Sequence, residues 1–208
     1  MGKLVILDHP VVQNKISMLR NVNTCCKEFR EIAGEVASIL CYEATRDVPL
    51  ITAEIETPIC KATVNIVTEK FGVVLILRAG MGMTGGMLNF LPNAKVGHIG
   101  VYRDPNTLRP VEYFWKLPSD SQERTILLVD PMLATGGTAS ASITHIKDKG
   151  VKHIKFICLI SCPEGVEKLQ NDHPDVDIYT AAHDPMLNDH GYIVPGLGDA
   201  GDRMFGTK

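Results

Sequence analysis

A carboxylate at position 130 is followed, across a short apolar stretch, by Thr135-Gly136-Gly137-Thr138. The two glycines carry no Cβ to keep a phosphate from the backbone, and the threonines add hydroxyl donors where a helix would begin. Amide N–H groups at such a start point toward an anion. No lysine follows the glycines, so the GxxxxGK[ST] pattern of a triphosphate loop is absent, and neutral donors with the helix dipole must hold a smaller charge. This argues against ATP hydrolysis. Asp130 can accept hydrogen bonds from vicinal hydroxyls, which a cation or an apolar side chain could not. A phosphorylated sugar satisfies both halves of the motif, and ribose fits it well.

Ile126 to Val129 shows no polar alternation, as in a strand covered on both faces of a parallel sheet. Asp130 then sits at the strand's carboxyl end, the edge where open α/β sheets bind ligands. Taken alone, TGGT also fits an ordinary βα turn; the strand and the carboxylate before it favour the ligand.

A second loop, Leu77-Arg78-Ala79-Gly80-Met81-Gly82-Met83-Thr84-Gly85, follows the apolar run 73–77 and contains GxGxxG. With Asp104 about twenty residues on, it competes as a dinucleotide fingerprint. Arg78 argues otherwise, because a strand-end cation among backbone donors suits the two phosphates of a pyrophosphate. A Rossmann reading also gives no purpose to the loop at 130–138. Arg103 ends a third predicted strand and falls on the same edge, although an exposed ion pair with Asp104 is its plain alternative.

Pro105, Pro110 and Pro118 bracket the apolar segment 111–117, which reads as a hairpin arm over about 104–121, either a lid excluding water or an element of a dimer interface. The tail, about 183–208, is rich in glycine yet holds Tyr192, Ile193, Val194, Leu197, Met204 and Phe205, enough apolar surface to fold back onto the body.

The loop at 130–138 resembles the ribose-5-phosphate loop of the type I phosphoribosyltransferases, which bind phosphoribosyl pyrophosphate (PRPP). Pro131 departs from the second acid common there, and Asp-Pro before LATGGT is similar to the uracil phosphoribosyltransferase branch. YIVPGLGDAGDRMFGT resembles that branch's uracil-binding tail, and the likeness runs from Tyr42-Glu-Ala-Thr to Gly206. It implies PRPP contacts from Arg78, Ala79, Gly80, Arg103, Asp130, Pro131, Met132, Leu133, Ala134, Thr135, Gly136, Gly137, Thr138 and Asp199. Uracil contacts would come from Ile193, Gly198, Asp199 and Ala200. Uracil presents acceptor, donor, acceptor, so a close-passing backbone can read it with N–H, C=O and N–H, leaving cytosine mismatched. The expected reaction makes UMP and pyrophosphate, with Asp130, Arg78, Arg103 and Asp199 as the catalytic set and Mg²⁺ carried by PRPP rather than by a metal site of the protein. Asp199 is either a base for N1 or an electrostatic stabiliser. Similar enzymes are dimers or larger, and GTP is an effector of some. Two alternatives stand beside this reading: an NAD-dependent oxidoreductase using the 80–85 glycines, and a nucleotide-sensing RNA-binding regulator on the same fold.

At 208 residues the chain is expected to form a single domain. A net charge of −3 without a Lys/Arg block disfavours nucleic acid or an acidic membrane as partner. The start lacks a signal-peptide run, position 6 is Ile where a myristoylation signal has Ser/Thr, and no later stretch would span a bilayer, so the expected location is cytoplasmic. Cys25, Cys26, Cys41, Cys60, Cys158 and Cys162 show no CxxC spacing; Cys158, Ile160 and Cys162 are expected on one strand face as buried thiols.

The predicted elements that position these loops are a helix from about Thr24, its cap, to Arg46; an antiparallel ribbon over 50–67 on the sheet edge; strands at 73–77, 95–102, 125–129, 151–162 and 176–181; and helices at 82–91, 137–149 and 163–171. That order predicts an α/β fold, a mainly parallel sheet with helices on both faces.

Overall fold

The computed structural model describes residues 2–103 and 110–207. In chain order its elements are β1 (Leu4–Ile6), α1 (Pro10–Arg20), α2 (Cys26–Ala44), β2 (Ile51–Glu56), β3 (Lys61–Ile66), β4 (Phe71–Leu77), a 3-10 turn (Ala79–Met83), α3 (Thr84–Phe90), β5 (Lys95–Arg103), β6 (Pro110–Lys116), a 3-10 turn (Ser121–Glu123), β7 (Thr125–Val129), β8 (Met132–Leu133), α4 (Gly137–Asp148), β9 (His153–Ser161), α5 (Pro163–Asp172), β10 (Asp177–His183), β11 (Met186–Leu187), β12 (Ile193–Val194) and α6 (Ala200–Phe205).

The main sheet runs β1-β10-β9-β7-β4-β5-β6, parallel throughout except that β6 returns antiparallel to β5. Its middle strands are buried on both faces, which is why they read as unbroken apolar runs. Side chains alternate with period two between two cores. Val73, Leu75, Leu127 and Val129 face α1, α2, α3 and the tail, while Val74, Ile76, Ile126 and Leu128 face α4 and α5. Because β7, β4 and β5 are parallel neighbours, their carboxyl ends bring Asp130, Arg78 and Arg103 to one edge.

Several expectations change. The helix at 26–44 is capped by Cys25, not Thr24, whose hydroxyl donates to the Met18 carbonyl oxygen at 2.6 Å. The 50–67 ribbon forms as β2 and β3, but as a sheet of its own, paired to no strand of the main sheet among the described residues. The helix expected from 82 starts as a 3-10 turn at Ala79, and its α-helical part begins at Thr84. Cys158 and Ile160 do not share a face: Leu159 and Ile160 both donate to the Pro131 carbonyl oxygen, at 2.9 and 3.1 Å. Ile160 packs in the opposite core from Cys158, with Cys162, which stands at the N-cap of α5. β1 and α1 were not anticipated. Residues 104–109 of the arm, with Asp104 and Pro105, lie outside the described residues; beyond them, Trp115 of β6 stacks on His145 of α4 at 4.0 Å. No helix among the described residues is long and apolar enough to cross a membrane.

α2 and α3 cross so closely that a Cβ on Gly86 would stand 1.7 Å from the Gly34 carbonyl oxygen, whereas one on Gly85 would meet nothing within 4 Å. Gly86→Ala is therefore expected to destabilise the protein by about 1–3 kcal/mol. Gly85→Ala should be neutral or stabilise by up to about 1 kcal/mol through a stiffer unfolded chain. Urea unfolding of the pair checks this, and equal losses would refute the close approach.

Candidate active site

The loop after β7 owes its shape to where its carbonyl groups go. The Pro131 oxygen takes the Leu159 and Ile160 amides of β9, the Leu133 oxygen accepts from Cys162 N–H at 3.3 Å, and the Ala134 oxygen accepts from the Cys162 thiol at 3.1 Å. Gly165 lets α5 approach from below; a Cβ there would lie 2.4 Å from the Ala134 oxygen and 2.6 Å from the Leu133 oxygen. These three carbonyl acceptors are thereby taken up by β9 and Cys162. Gly136 sits at φ +75° as the N-cap of α4, with no side-chain cap, and its own oxygen accepts from Ser140 N–H at 2.9 Å. The first amides of α4 thus have no helical acceptor. A Cβ on Gly137 would come no nearer to any other side chain or backbone than 3.9 Å, from the Thr135 hydroxyl. Asp130, Met132, Leu133, Ala134, Thr135, Gly136, Thr138 and Ala139 line a pocket of about 80 Å³. Pro131 and Leu133 have buried side chains, so only their backbone belongs to this surface.

Asp130 lies partly buried at the pocket floor, its Oδ1 accepting a long 3.4 Å bond from Met132 N–H. Burial pushes its carboxyl up to about 7, against that one weak opposing hydrogen bond.

Arg78 follows β4 through a cis Leu77–Arg78 peptide and remains over half exposed, 3.6 Å from an Asp202 carboxylate oxygen of α6. The glycines of the GxGxxG pattern have separate neighbours. A Cβ on Gly80 would stand 2.8 Å from the Val129 carbonyl oxygen, and one on Gly82 would stand 2.2 Å from the Met204 sulfur. The pattern thus records this loop's contacts with the end of β7 and with the tail. Ala79 touches the tail too, its Cβ 3.8 Å from where a Gly201 Cβ would be. Arg103 ends β5, with its side chain outside the described part of the structure.

The tail folds back, burying Ile193, Leu197, Ala200 and Met204 in the core shared with α1 and α2. Because the Ile193 side chain points inward, only its backbone can meet a ligand. Gly198 is exposed at φ +70°, and Asp199 caps α6 by accepting from Asp202 N–H at 2.9 Å. Two arginines brace this helix, residues that sequence reading missed. Arg203 donates to Leu197 and Asn21 carbonyl oxygens at 3.0 and 2.6 Å and to that of Leu19, and its guanidinium lies 4.4 Å from the Phe29 ring centre. Arg30 of α2 donates to the Met204 oxygen at 2.5 Å. Arg203 stood within the tail motif, but Leu19 and Asn21 lie about 180 residues away in sequence, and no local pattern announces them.

The family model described as uracil phosphoribosyltransferase matches residues 5–207. A uracil phosphoribosyltransferase of Geobacillus kaustophilus is 60% identical over 209 residues, and one of Bacillus cytotoxicus 58%, each match covering 100% of both chains. A solved structure of an Aquifex aeolicus protein superposes with a TM-score of 0.92 at 36% identity over 99% of both chains. An adenine phosphoribosyl transferase of Trypanosoma brucei, solved with AMP, pyrophosphate and ribose-5-phosphate, shares the fold at 12% identity, with a TM-score of 0.61 over 92% of this chain and 88% of its own. One family model thus takes in both loops and the tail, which leaves the dinucleotide and RNA-regulator readings without support.

Folded Asp130 carries its charge reluctantly, whereas the unfolded chain ionises it near 3.8. The folding penalty is absent below the unfolded value, grows as pH rises toward about 7, and is constant above that. Asp130→Asn keeps the Met132 bond and escapes the penalty. Its stability gain should be nil near pH ~4 and reach at most about 4 kcal/mol above pH ~7. Urea midpoints across this range test the sign, and a gain that shrinks with rising pH would contradict it.

Proposed function

The chain belongs to the uracil phosphoribosyltransferase family, enzymes that join the phosphoribosyl group of PRPP to N1 of uracil, giving UMP and pyrophosphate, and from this premise we propose how its residues divide that work. The observation that carries the assignment is the inward turn of the Pro131, Leu133 and Ala134 carbonyl groups, which leaves an amide-lined pocket beside one carboxylate. Residues 135–138 hold the 5-phosphate with amides and hydroxyls, the α4 dipole adding to the attraction. The backbone of residues 131–134 completes the wall. Asp130 accepts from the ribose hydroxyls.

Arg78 and Arg103, with the amides of Ala79 and Gly80, receive the charge that gathers on pyrophosphate as the C1–O bond breaks. The oxygen donors of this edge, the Asp130 and Asp199 carboxylates, suit Mg²⁺ that keeps mostly phosphate and water ligands; we assign the ion to PRPP as its carrier. When bound, it spreads the negative charge of the leaving group. Uracil lies against the backbone of Ile193, Gly198, Asp199 and Ala200, which reads its acceptor-donor-acceptor edge and aims N1 at C1. The C1–O electron pair leaves with pyrophosphate, the N1 pair forms the new bond, and the N1 proton is lost. Asp199 has Oδ1 engaged with Asp202, so its other oxygen is the one that takes this proton or stabilises the cationic sugar. Positioning supplies much of the acceleration.

Assembly into a homodimer or larger is supported by the exposed apolar side chains Leu50, Ile51, Ile55, Ile59, Ile66 and Val67 on and beside the β2–β3 ribbon. A cytoplasmic setting is supported by six free thiols. GTP as an effector rests on its use by some members of the family alone.

Asp130→Asn is expected to lower UMP formation by about 100-fold or more, since an amide cannot match the carboxylate toward hydroxyls and a cationic sugar. Undiminished turnover would remove the sugar role. Gly198→Val should raise KM for uracil steeply while PRPP binding, followed by calorimetry, holds; unchanged uracil kinetics would count against backbone reading of the base.

A further inference from the structure

The base-reading stretch is anchored by the buried side chains of Ile193, Leu197 and Ala200, but the turn between the first two has no side chain to pack at Gly196. Gly196 and Gly198 both sit at positive φ, at +64° and +70°, and glycine gives up more freedom on ordering than any other residue. One buried ion pair closes on this stretch from outside. Arg20, the last residue of α1, donates through both terminal nitrogens to Asp184, at 2.5 and 2.8 Å. Asp184 follows β10, is 4% exposed, and is tied by its own amide to the Ser161 oxygen at 2.8 Å. Both partners then grip a single residue of the tail: Arg20 donates to the Gly196 carbonyl oxygen at 2.9 Å, and the Gly196 amide donates to Asp184 Oδ2 at 3.0 Å. The ring of four hydrogen bonds fixes both polar groups of Gly196, three residues after Ile193 and two before Gly198. It also forces the turn that brings Gly196 so near Ile193 that a Cβ would lie 2.0 Å from the Ile193 oxygen.

We propose that Arg20 and Asp184 are positioning residues for the base: by clamping Gly196 they preorganise the uracil-reading backbone, and so set affinity for uracil without touching uracil or PRPP. The proposal rests on the reading that the tail binds uracil. Without the clamp, only a fraction of molecules holds the tail in its reading conformation, and apparent affinity falls by that fraction. The phosphate pocket, anchored by β9 and α5, does not depend on it.

Removing one partner alone would strand a buried charge, so the decisive variant removes both: Arg20→Met with Asp184→Leu. The double variant removes the charge pair but also takes their partners from the buried Gly196 carbonyl and amide, so the melting temperature should fall only modestly. KM for uracil should rise about tenfold or more, as expected when charge-assisted hydrogen bonds are lost, while KM for PRPP stays within about twofold. Arg20→Lys should give a smaller rise of the same kind, because one ammonium cannot serve two carboxylate oxygens and a carbonyl together with the geometry of a guanidinium. Should the double variant not fold, Arg20→Lys carries the test alone by the same split. An unchanged KM for uracil, an equal rise in both KM values, or a loss confined to kcat would overturn the proposal. Gly198→Val, measured alongside, separates the two claims. If it leaves uracil kinetics intact, the tail reading fails; if it acts while the clamp variants do not, only the clamp fails.

Discussion

The structure depends on the direction of the peptide groups between Asp130 and Ser140. A loop of this kind has as many carbonyl groups as amides, proline aside, and would attract an anion only if the two were sorted to opposite sides. Here the sorting is imposed from below. β9 presents the consecutive amides of Leu159 and Ile160 to Pro131, Cys162 presents its amide and thiol to Leu133 and Ala134, and Gly165 lets α5 come close enough for these contacts. The phosphate site we propose therefore needs no lysine in its loop, its attraction coming from oriented dipoles in a chain of net charge −3.

The same economy joins the loops to one another. Gly80 seats its turn on the Val129 carbonyl, directly before Asp130, and Gly82 seats the same turn on Met204 of the tail. Gly80 and Gly82 thus tie the Arg78 loop to the end of β7 and to α6, while the 135–138 turn is held separately by β9 and α5. Arg78 adds a polar link by standing 3.6 Å from Asp202, so the cation at the end of β4 and the helix capped by Asp199 share one electrostatic setting.

Most of this was legible where a local pattern carries the physics. Buried parallel strands read as apolar runs, and the stripe Phe29, Ile32, Ala33, Val36 and Leu40 marked α2 because one helix face is buried. β1 escaped because three residues make no pattern, and α1 because His9 and Pro10 do not form a usual cap signal, although Val12, Ile16 and Leu19 fall on one buried face. The inverted face of Ile160 was hidden because it is set by a distant loop, where the Pro131 carbonyl takes two neighbouring β9 amides. The site followed the same division. Aspartate, glycines and threonines at one strand end are contiguous in sequence, whereas Arg20, Asp184 and Gly196 meet across separations of 164 and 176 residues and leave no local trace.

Asp130 shows why such a site is kept despite its effect on stability. A carboxyl pushed up to about 7 is divided between its two protonation states near neutral pH, and only the ionised form offers acceptors alone to the sugar hydroxyls. On the proposed assignment, hydroxyl donation from a bound sugar would favour that form, and its binding below pH ~7 would be accompanied by proton release. The free protein therefore carries a charge it disfavours, and the ligand removes the cause by supplying the hydrogen bonds that the pocket withholds. In the proposed reaction that interaction is available when positive charge develops at C1 beside this partly buried carboxylate.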